Sequence, residues 1–280
     1  ERPEELLKRG LISIATIGPI DNLPLGHFLM IDIEGKRIIE VDEKRNIFWS
    51  VGKDVLTEAG IELNFPRDAV RLATRNTLIT DYSDNHVFEI TPSGRRFWDF
   101  NTSLSDHHRL ANPVRATANG LNHVLIVDQG HHRVIEVDRD SDILRSFGEQ
   151  GKPGIEDGLL NTPSDVQRLV NGNVLITDTG NHRIVEFEDK QIVWQYGNAD
   201  NATAGAYGNG PDQLSYPQSA LRLDNGNTLI VDAGNLRVME VSQDKALVWE
   251  HSLADGPDEE RMDAPFRAAY MRNGLVMVLG

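Results

Sequence analysis

Cysteine is absent from all 280 residues. Disulfides, thiolate metal ligands and cysteine nucleophiles are therefore excluded, while the compartment stays open, because a chain without thiols suits oxidising and reducing surroundings alike. Long hydrophobic runs are missing too: residues 174–176 and 275–279 are among the longest apolar stretches, far short of the roughly 20 a spanning helix needs, so we expect no membrane insertion. Positive charge is scarce, with 28 Lys and Arg against 43 Asp and Glu, a formal net charge of −15. A field of that sign repels phosphate backbones and anionic lipid heads, which removes nucleic acid from the expected partners. No signal-peptide pattern opens the chain, yet it starts at Glu1 rather than Met; read as a trimmed start, this gives an extracytoplasmic location, periplasmic or secreted, as the expectation. Also missing are the Gly-x-Ser-x-Gly elbow, the phosphate-cradling Gly-x-x-x-x-Gly-Lys-Ser/Thr loop and His-Glu-x-x-His.

What is present is repetition. Hydrophobic residues make up 39% of the chain, enough for a substantial core. An apolar run ending in Asp, with a Glu eight residues later, occurs at Asp32/Glu40, Asp81/Glu89, Asp128/Glu136, Asp178/Glu186 and Asp232/Glu240. Fifteen residues before the last four of these aspartates stand Pro66, Pro113, Pro163 and Pro217, and Pro265 stands fifteen before Gly280. Each unit reads as four short strands. In residues 163–197, strand A ends at an Asn171-Gly172 turn signal, strand B is the β-branched run at 174–177, strand C comes after a Gly180-Asn181 turn, and strand D ends before Gly197. The B strands are continuously apolar, a pattern that demands burial on both faces.

Four-stranded antiparallel units of this length, each needing a neighbour on both sides, predict an all-β fold, a β-propeller. The expectation is six blades in a single domain, 1–280. Five are complete, and the sixth is split between residues 1–18 as strands C and D and residues 265–280 as strands A and B, so that the termini close the ring. On that reading, strand A of the first blade begins near Ile17.

Asp178-Thr-Gly-Asn-His-Arg-Ile, Asp128-Gln-Gly-His-His-Arg-Val and Asp232-Ala-Gly-Asn-Leu-Arg-Val resemble the Asp-x-Gly-Asn-x-Arg core of NHL repeats. The inter-blade stretches Phe147-Gly148 to Pro163 and Gly208 to Pro217 are similar to the connections of the same repeats. The resemblance implies a six-bladed NHL-type propeller. A weaker likeness, through Arg168-Leu-Val-Asn-Gly-Asn-Val-Leu-Ile and Arg222-Leu-Asp-Asn-Gly-Asn-Thr-Leu-Ile, is to arylsulfotransferase-like propellers; the His-Asp pair that often opens this segment there is replaced by Ser164-Asp165 and Gln218-Ser219, so no catalytic residue carries over.

The repeated Asp and Arg, five apart in four units, bracket the B to C turn and suit a structural bond, since a motif present around the ring has no asymmetry to make a site. The strand C glutamates read the same way, with partners the sequence does not name. Trp49, Trp98, Trp194 and Trp249 recur in strand D and read as packing between blades. Arg71, Arg168 and Arg222 recur in strand A and either hold an anion or pair with strand carboxylates. Asymmetry lies in the histidines and the long connections. His107, His108, His131, His132 and His182 fall in the D to A and B to C connections, which share one face of a propeller, and His86 replaces the motif Arg in the second unit. Imidazole can ligate zinc or carry protons, and Asp84 with the repeated aspartates offers oxygen for calcium, but no Asp-x-Asp-x-Asp loop occurs. No cofactor is expected on balance, with a divalent ion, calcium or zinc, as the alternative. Tyr207, in the long connection from Gly197 to Pro217, is a candidate contact residue. The expected function is a non-catalytic binding module presenting a loop-rich face to a protein or small-molecule ligand; the rival is a propeller enzyme of lyase, hydrolase or sulfotransferase type using histidines on that face.

Overall fold

A computed structural model of the chain describes residues 12–16, 23–24, 26–33, 35–42, 44, 46–58, 60–100, 109–120, 122–156, 158–197, 207–255, 262, 264–270 and 276–279. It contains five four-stranded antiparallel sheets, each in sequence order. The first is β1 (Ile12–Thr16), β2 (His27–Asp32), β3 (Arg37–Asp42) and β4 (Ile47–Gly52), with a short helix α1 (Lys53–Glu58) after it. The second is β5 (Pro66–Arg71), β6 (Thr77–Asp81), β7 (His86–Ile90) and β8 (Arg96–Phe100). The third is β9 (Pro113–Asn119), β10 (His123–Asp128), β11 (Arg133–Val137) and β12 (Ile143–Phe147). The fourth is β13 (Asp165–Arg168), β14 (Val174–Asp178), β15 (Arg183–Glu188) and β16 (Gln191–Tyr196), and the fifth is β17 (Pro217–Arg222), β18 (Thr228–Asp232), β19 (Arg237–Val241) and β20 (Leu247–Ser252). A two-stranded sheet, β21 (Arg267–Tyr270) with β22 (Val276–Leu279), ends the chain.

The expected count of six blades is corrected to five complete sheets, because β1 pairs with β2, with Ile12 opposite Asp32 and Thr16 opposite Leu29. It is therefore strand A of the first sheet, not part of a sixth, and β22 pairs with β21 alone among the described strands. The physical reason lies in the prolines. The stretch assigned to strand A of the first blade holds Pro19 and Pro24, which have no N–H for a ladder, whereas residues 12–16 carry no breaker. Ile17 itself lies outside the described residues.

The chain divides into two compact units, residues 1–130 with 135–145 and residues 131–134 with 146–280. In the first, Leu29, Ile31 and Ile38 of one sheet pack with Ala69, Ile79 and Phe88 of the next and with Leu56 of α1; a second cluster joins Val70, Leu78, Val87 and Phe100 to Ala116, Val124, Ile126 and Ile135. In the second, Leu175, Ile184 and Tyr196 pack on Ala220, Ile230 and Met239, while Leu229, Val231 and Val238 pack on Ala268. Strands β6, β14 and β18 are buried at every residue, as their unbroken apolar runs require. Each such Leu, Ile or Phe contributes about 1.5–3 kcal/mol by leaving water.

The strand C glutamate finds its partners in the same way in all five sheets. One carboxylate oxygen bonds the side chain thirteen residues earlier, at the head of strand B: His27 to Glu40 at 2.8 Å, Asn76 to Glu89 at 2.7 Å, His123 to Glu136 at 3.0 Å, Asn173 to Glu186 at 2.8 Å and Asn227 to Glu240 at 2.5 Å. The other oxygen takes a second donor: Arg71 for Glu40 at 3.0 Å, Arg139 for Glu89, Arg145 for Glu136 at 2.7 Å, Arg222 for Glu186 at 2.9 Å and the Trp249 indole for Glu240 at 2.8 Å. Arg71, Arg139 and Arg222 come from the next sheet along the chain and lie over Trp49, Trp98 and Trp194, with guanidinium-to-ring distances of 4.3, 5.2 and 4.6 Å. These indoles donate onward to the carbonyls of Pro92, Arg139 and Gln243. Arginine, strand C glutamate and strand D tryptophan are thus one joint between neighbouring sheets.

Two glycines separate backbone strain from crowding. Gly172 and Gly197 have φ of +89° and +88°, but a Cβ on Gly172 meets nothing within 4 Å, while on Gly197 it lies 2.5 Å from the His182 carbonyl. Gly172→Ala is expected to cost about 1–2 kcal/mol, the left-handed penalty alone, and Gly197→Ala about 1–3 kcal/mol more. Urea unfolding checks the order; equal losses would refute it.

Candidate recognition surface at the B to C turns

Each B strand ends on a buried aspartate, and the chain then makes a tight turn, a single 3-10 turn at Gln129–His131, Thr179–Asn181 and Ala233–Asn235. The aspartate accepts the backbone N–H of the connection entering its own sheet: Asn64 to Asp81, Ala111 to Asp128, Asn161 to Asp178 and Ser215 to Asp232, each at 2.7 Å. The motif Arg bonds the same carboxylate at 2.7 Å in Arg37–Asp32, Arg183–Asp178 and Arg237–Asp232. The motif Asn joins them, Asn181 to Asp178 at 2.8 Å and Asn235 to Asp232 at 2.7 Å. Burial pushes the Asp178 and Asp232 carboxyls up, opposed by these arginines, amides and backbone N–H donors. In the second sheet His86 stands where the Arg is expected, and turns instead to Asp99 at 2.7 Å.

Four residues past each aspartate the backbone enters the left-handed region: Lys36, Asn85, His132, His182 and Leu236 have φ between 46° and 58°. At three of these positions the side chain accepts from the next connection. Asn85 Oδ1 accepts the Asn112 N–H at 2.6 Å, His132 Nδ1 accepts that of Thr162 at 3.1 Å, and His182 Nδ1 accepts that of Tyr216 at 3.0 Å. A backbone N–H can only donate, so both imidazoles are unprotonated at Nδ1. Lys36 reaches the same connection as a donor, to the Asn64 side-chain oxygen at 3.1 Å, and Asn64 holds the exposed Asp84 carboxylate at 2.9 and 3.0 Å.

The sequence candidates therefore fall into distinct places. His107 and His108 lie outside the described residues. His131 is partly exposed in its 3-10 turn, its carbonyl accepting the Gly151 N–H at 3.0 Å. His132 latches Thr162, and Asp84 sits on Asn64 in the first unit. His182 and Tyr207 are brought together in the second unit, ring centroids 5.3 Å apart. Sequence reasoning missed Tyr216, which stands edge-on over His182 at 4.4 Å and 6.5 Å from Tyr207. Tyr207 and Tyr216 are 67% and 53% exposed above an imidazole that is 4% exposed. Tyr216 also has φ of 46°, a strained setting for a bulky residue. The available signal was its place directly before the repeat proline, where Phe65, Asn112 and Thr162 stand in other units. Among the described residues no group of three or more His, Asp or Glu is arranged to hold a metal ion.

The model of the NHL repeat matches residues 160–187, the stretch that holds the Asp178 turn and its Arg183 and His182. Among solved structures the chain is similar to a protein of unknown function from Bacteroides caccae, at 19% identity over 80% of this chain and 77% of that one, TM-score 0.55. It is similar to virginiamycin B lyase from Staphylococcus aureus, at 11% identity over 91% and 81%, TM-score 0.58. It is likewise similar to a chain of the nidogen/laminin complex, at 12% identity over 86% and 79%, TM-score 0.60. The sheets and these likenesses are those of a β-propeller, one of whose repeats matches the NHL model. No curated protein matches it.

The His182 latch gives this propeller a pH dependence. Burial holds the His182 imidazole below its ordinary value of 6.5, so the unfolded chain takes up that proton first as pH falls. The stabilisation is fully present above about 6.5 and is lost as pH drops through the lower folded-state value. His182→Asn supplies the acceptor that Asn85 already uses, without a titrating ring. The variant should lose less of its urea midpoint than the wild type between pH 7.5 and 5; parallel losses would refute the assignment.

Proposed function

We propose that the chain is a non-catalytic binding module that presents the connection-rich face of its second unit to a protein or small ligand. The observation that carries this reading is the tyrosine pair. Tyr207 and Tyr216 expose large amphipathic rings side by side, and both rest on His182, whose acceptor bond fixes the backbone of Tyr216. Rigid, exposed tyrosines on loops supply contact area at low entropic cost and are enriched where proteins meet partners. The acidity of the chain makes a phosphate backbone a poor occupant of such a face.

Catalysis by the B to C turn histidines has less support. His132 and His182 both spend Nδ1 on a backbone amide, a structural duty that Asn85 performs equally well. The solved neighbours include a lyase and a member of a protein complex, and at 11–12% identity they bear on fold alone.

The test is capture of a partner from the native source, repeated with Tyr207→Ala combined with Tyr216→Asn, a residue that tolerates the left-handed backbone as Asn112 does. Retention of the partner should fall at least about tenfold, with the unfolding midpoint little changed. Undiminished capture would refute the reading. Stoichiometric zinc or calcium in the purified protein, lost on His131→Ala or His132→Ala, would favour the enzyme instead.

A further inference from the structure

One residue sets the turn from strand A to strand B of the second sheet apart from its counterparts. Six positions before the repeat aspartate, the turn from strand A to strand B holds Gly26, Gly172 and Gly226 in the first, fourth and fifth units, with φ of 78°, 89° and 87°. The second unit holds Arg75 there, with φ of 69°. The turn is otherwise unchanged. The Arg75 N–H reaches the Leu72 carbonyl at 2.9 Å, as Gly172 reaches Leu169 at 3.0 Å and Gly226 reaches Leu223 at 2.9 Å. The carbonyl of the turn residue accepts from the strand A arginine in all three, at 3.1, 2.9 and 3.2 Å. An arginine is thus held in a conformation that favours glycine, at a place where three sister turns use glycine, and nothing in the turn requires it.

Arg75 lines a cavity of about 470 Å³, together with Leu23, Pro24, Glu40, Trp49, Arg71 and Pro92. That volume lies in the range of small-molecule sites, roughly 300–1,000 Å³. Of its charged groups, Arg71 and Glu40 are buried and bonded to each other at 3.0 Å, and the second Glu40 oxygen is taken by His27. Arg75 is exposed, and its guanidinium has no ion-pair partner among the described residues. In a chain of net charge −15, this pocket carries one uncommitted positive group beside an indole, two prolines and a leucine. A guanidinium presents paired N–H donors that match a carboxylate, and the apolar walls match a flat hydrocarbon body.

We propose that this cavity binds a small monocarboxylate with a flat apolar body, its carboxylate paired with Arg75 and its body set against Trp49 between Pro24 and Pro92. The cavity is lined by residues between Leu23 and Pro92 and shares no residue with the tyrosine pair, so it does not depend on that reading. The experiment is calorimetric titration of the whole chain with phenylacetate and indole-3-acetate at low salt, alongside the neutral phenylacetamide. The acids should bind saturably in the millimolar range or tighter, and the amide about tenfold more weakly or worse. Arg75→Gly restores the residue of the sister turns, so its unfolding midpoint should not fall, while affinity for the acids drops about tenfold and the preference over the amide disappears. Trp49→Leu should weaken acid and amide alike. Failure of both acids to bind, equal binding of acid and amide, or unchanged binding to Arg75→Gly at an undiminished midpoint would each overturn the proposal.

Discussion

A carboxylate withheld from water at the end of every second strand is the constraint around which the turns are built. Asp32, Asp81, Asp128, Asp178 and Asp232 are at most 2% exposed. Burying an isolated carboxylate is far too costly to persist, and only a full set of donors makes it tolerable. Asp178 shows how the set is drawn from three directions: the Asn161 N–H from the incoming connection, the Asn181 amide from the turn and the Arg183 guanidinium from the departing strand. Losing any one donor strands charge in the interior, so connection, turn and strand must order together. The strand C glutamate plays the same part at the other end of the sheet, and it ties each sheet to its successor wherever Arg71, Arg139 or Arg222 is its second donor.

Much of this was legible in the sequence, because it rests on local spacing. The four strands of residues 163–197 fall where the turn signals place them, and the Asp–Arg bond stems from two residues five apart across a hairpin. Pairing of strand A arginines with strand carboxylates was one of two readings and holds for Arg71 and Arg222, but the rest of the glutamate's partners were not legible. One sits thirteen residues back across a strand pair and the other changes between Arg71, Arg139, Arg145, Arg222 and Trp249, chemically different solutions to one need with no fixed offset. The first strand was misplaced because the repeat lacks its proline there, so counting back from Asp32 landed on a segment whose own prolines cannot join a ladder. Tyr216 carries no repeat signal, because Pro217 recurs while the residue before it varies from unit to unit.

In a repeat protein the shared residues hold the scaffold, and individuality lies in the exceptions. His182 recurs as His132 in the sequence, and its acceptor role is shared with Asn85 as well. Tyr216 beside it and Arg75 at an A to B turn are the true departures, both carried on left-handed backbone. The scaffold bears the strain because its hydrogen bonds are already complete without the variable side chain.

The acceptor at His132 or His182 belongs to one blade and the amide it receives belongs to the next. A module cut out by itself would keep a lone pair without its N–H at one border and an N–H without its lone pair at the other. Duplication or loss in such an array is therefore tolerated in whole periods, where donor still meets acceptor at the new junction, and a fragment ending midway inherits a polar wound that no hydrophobic surface can close.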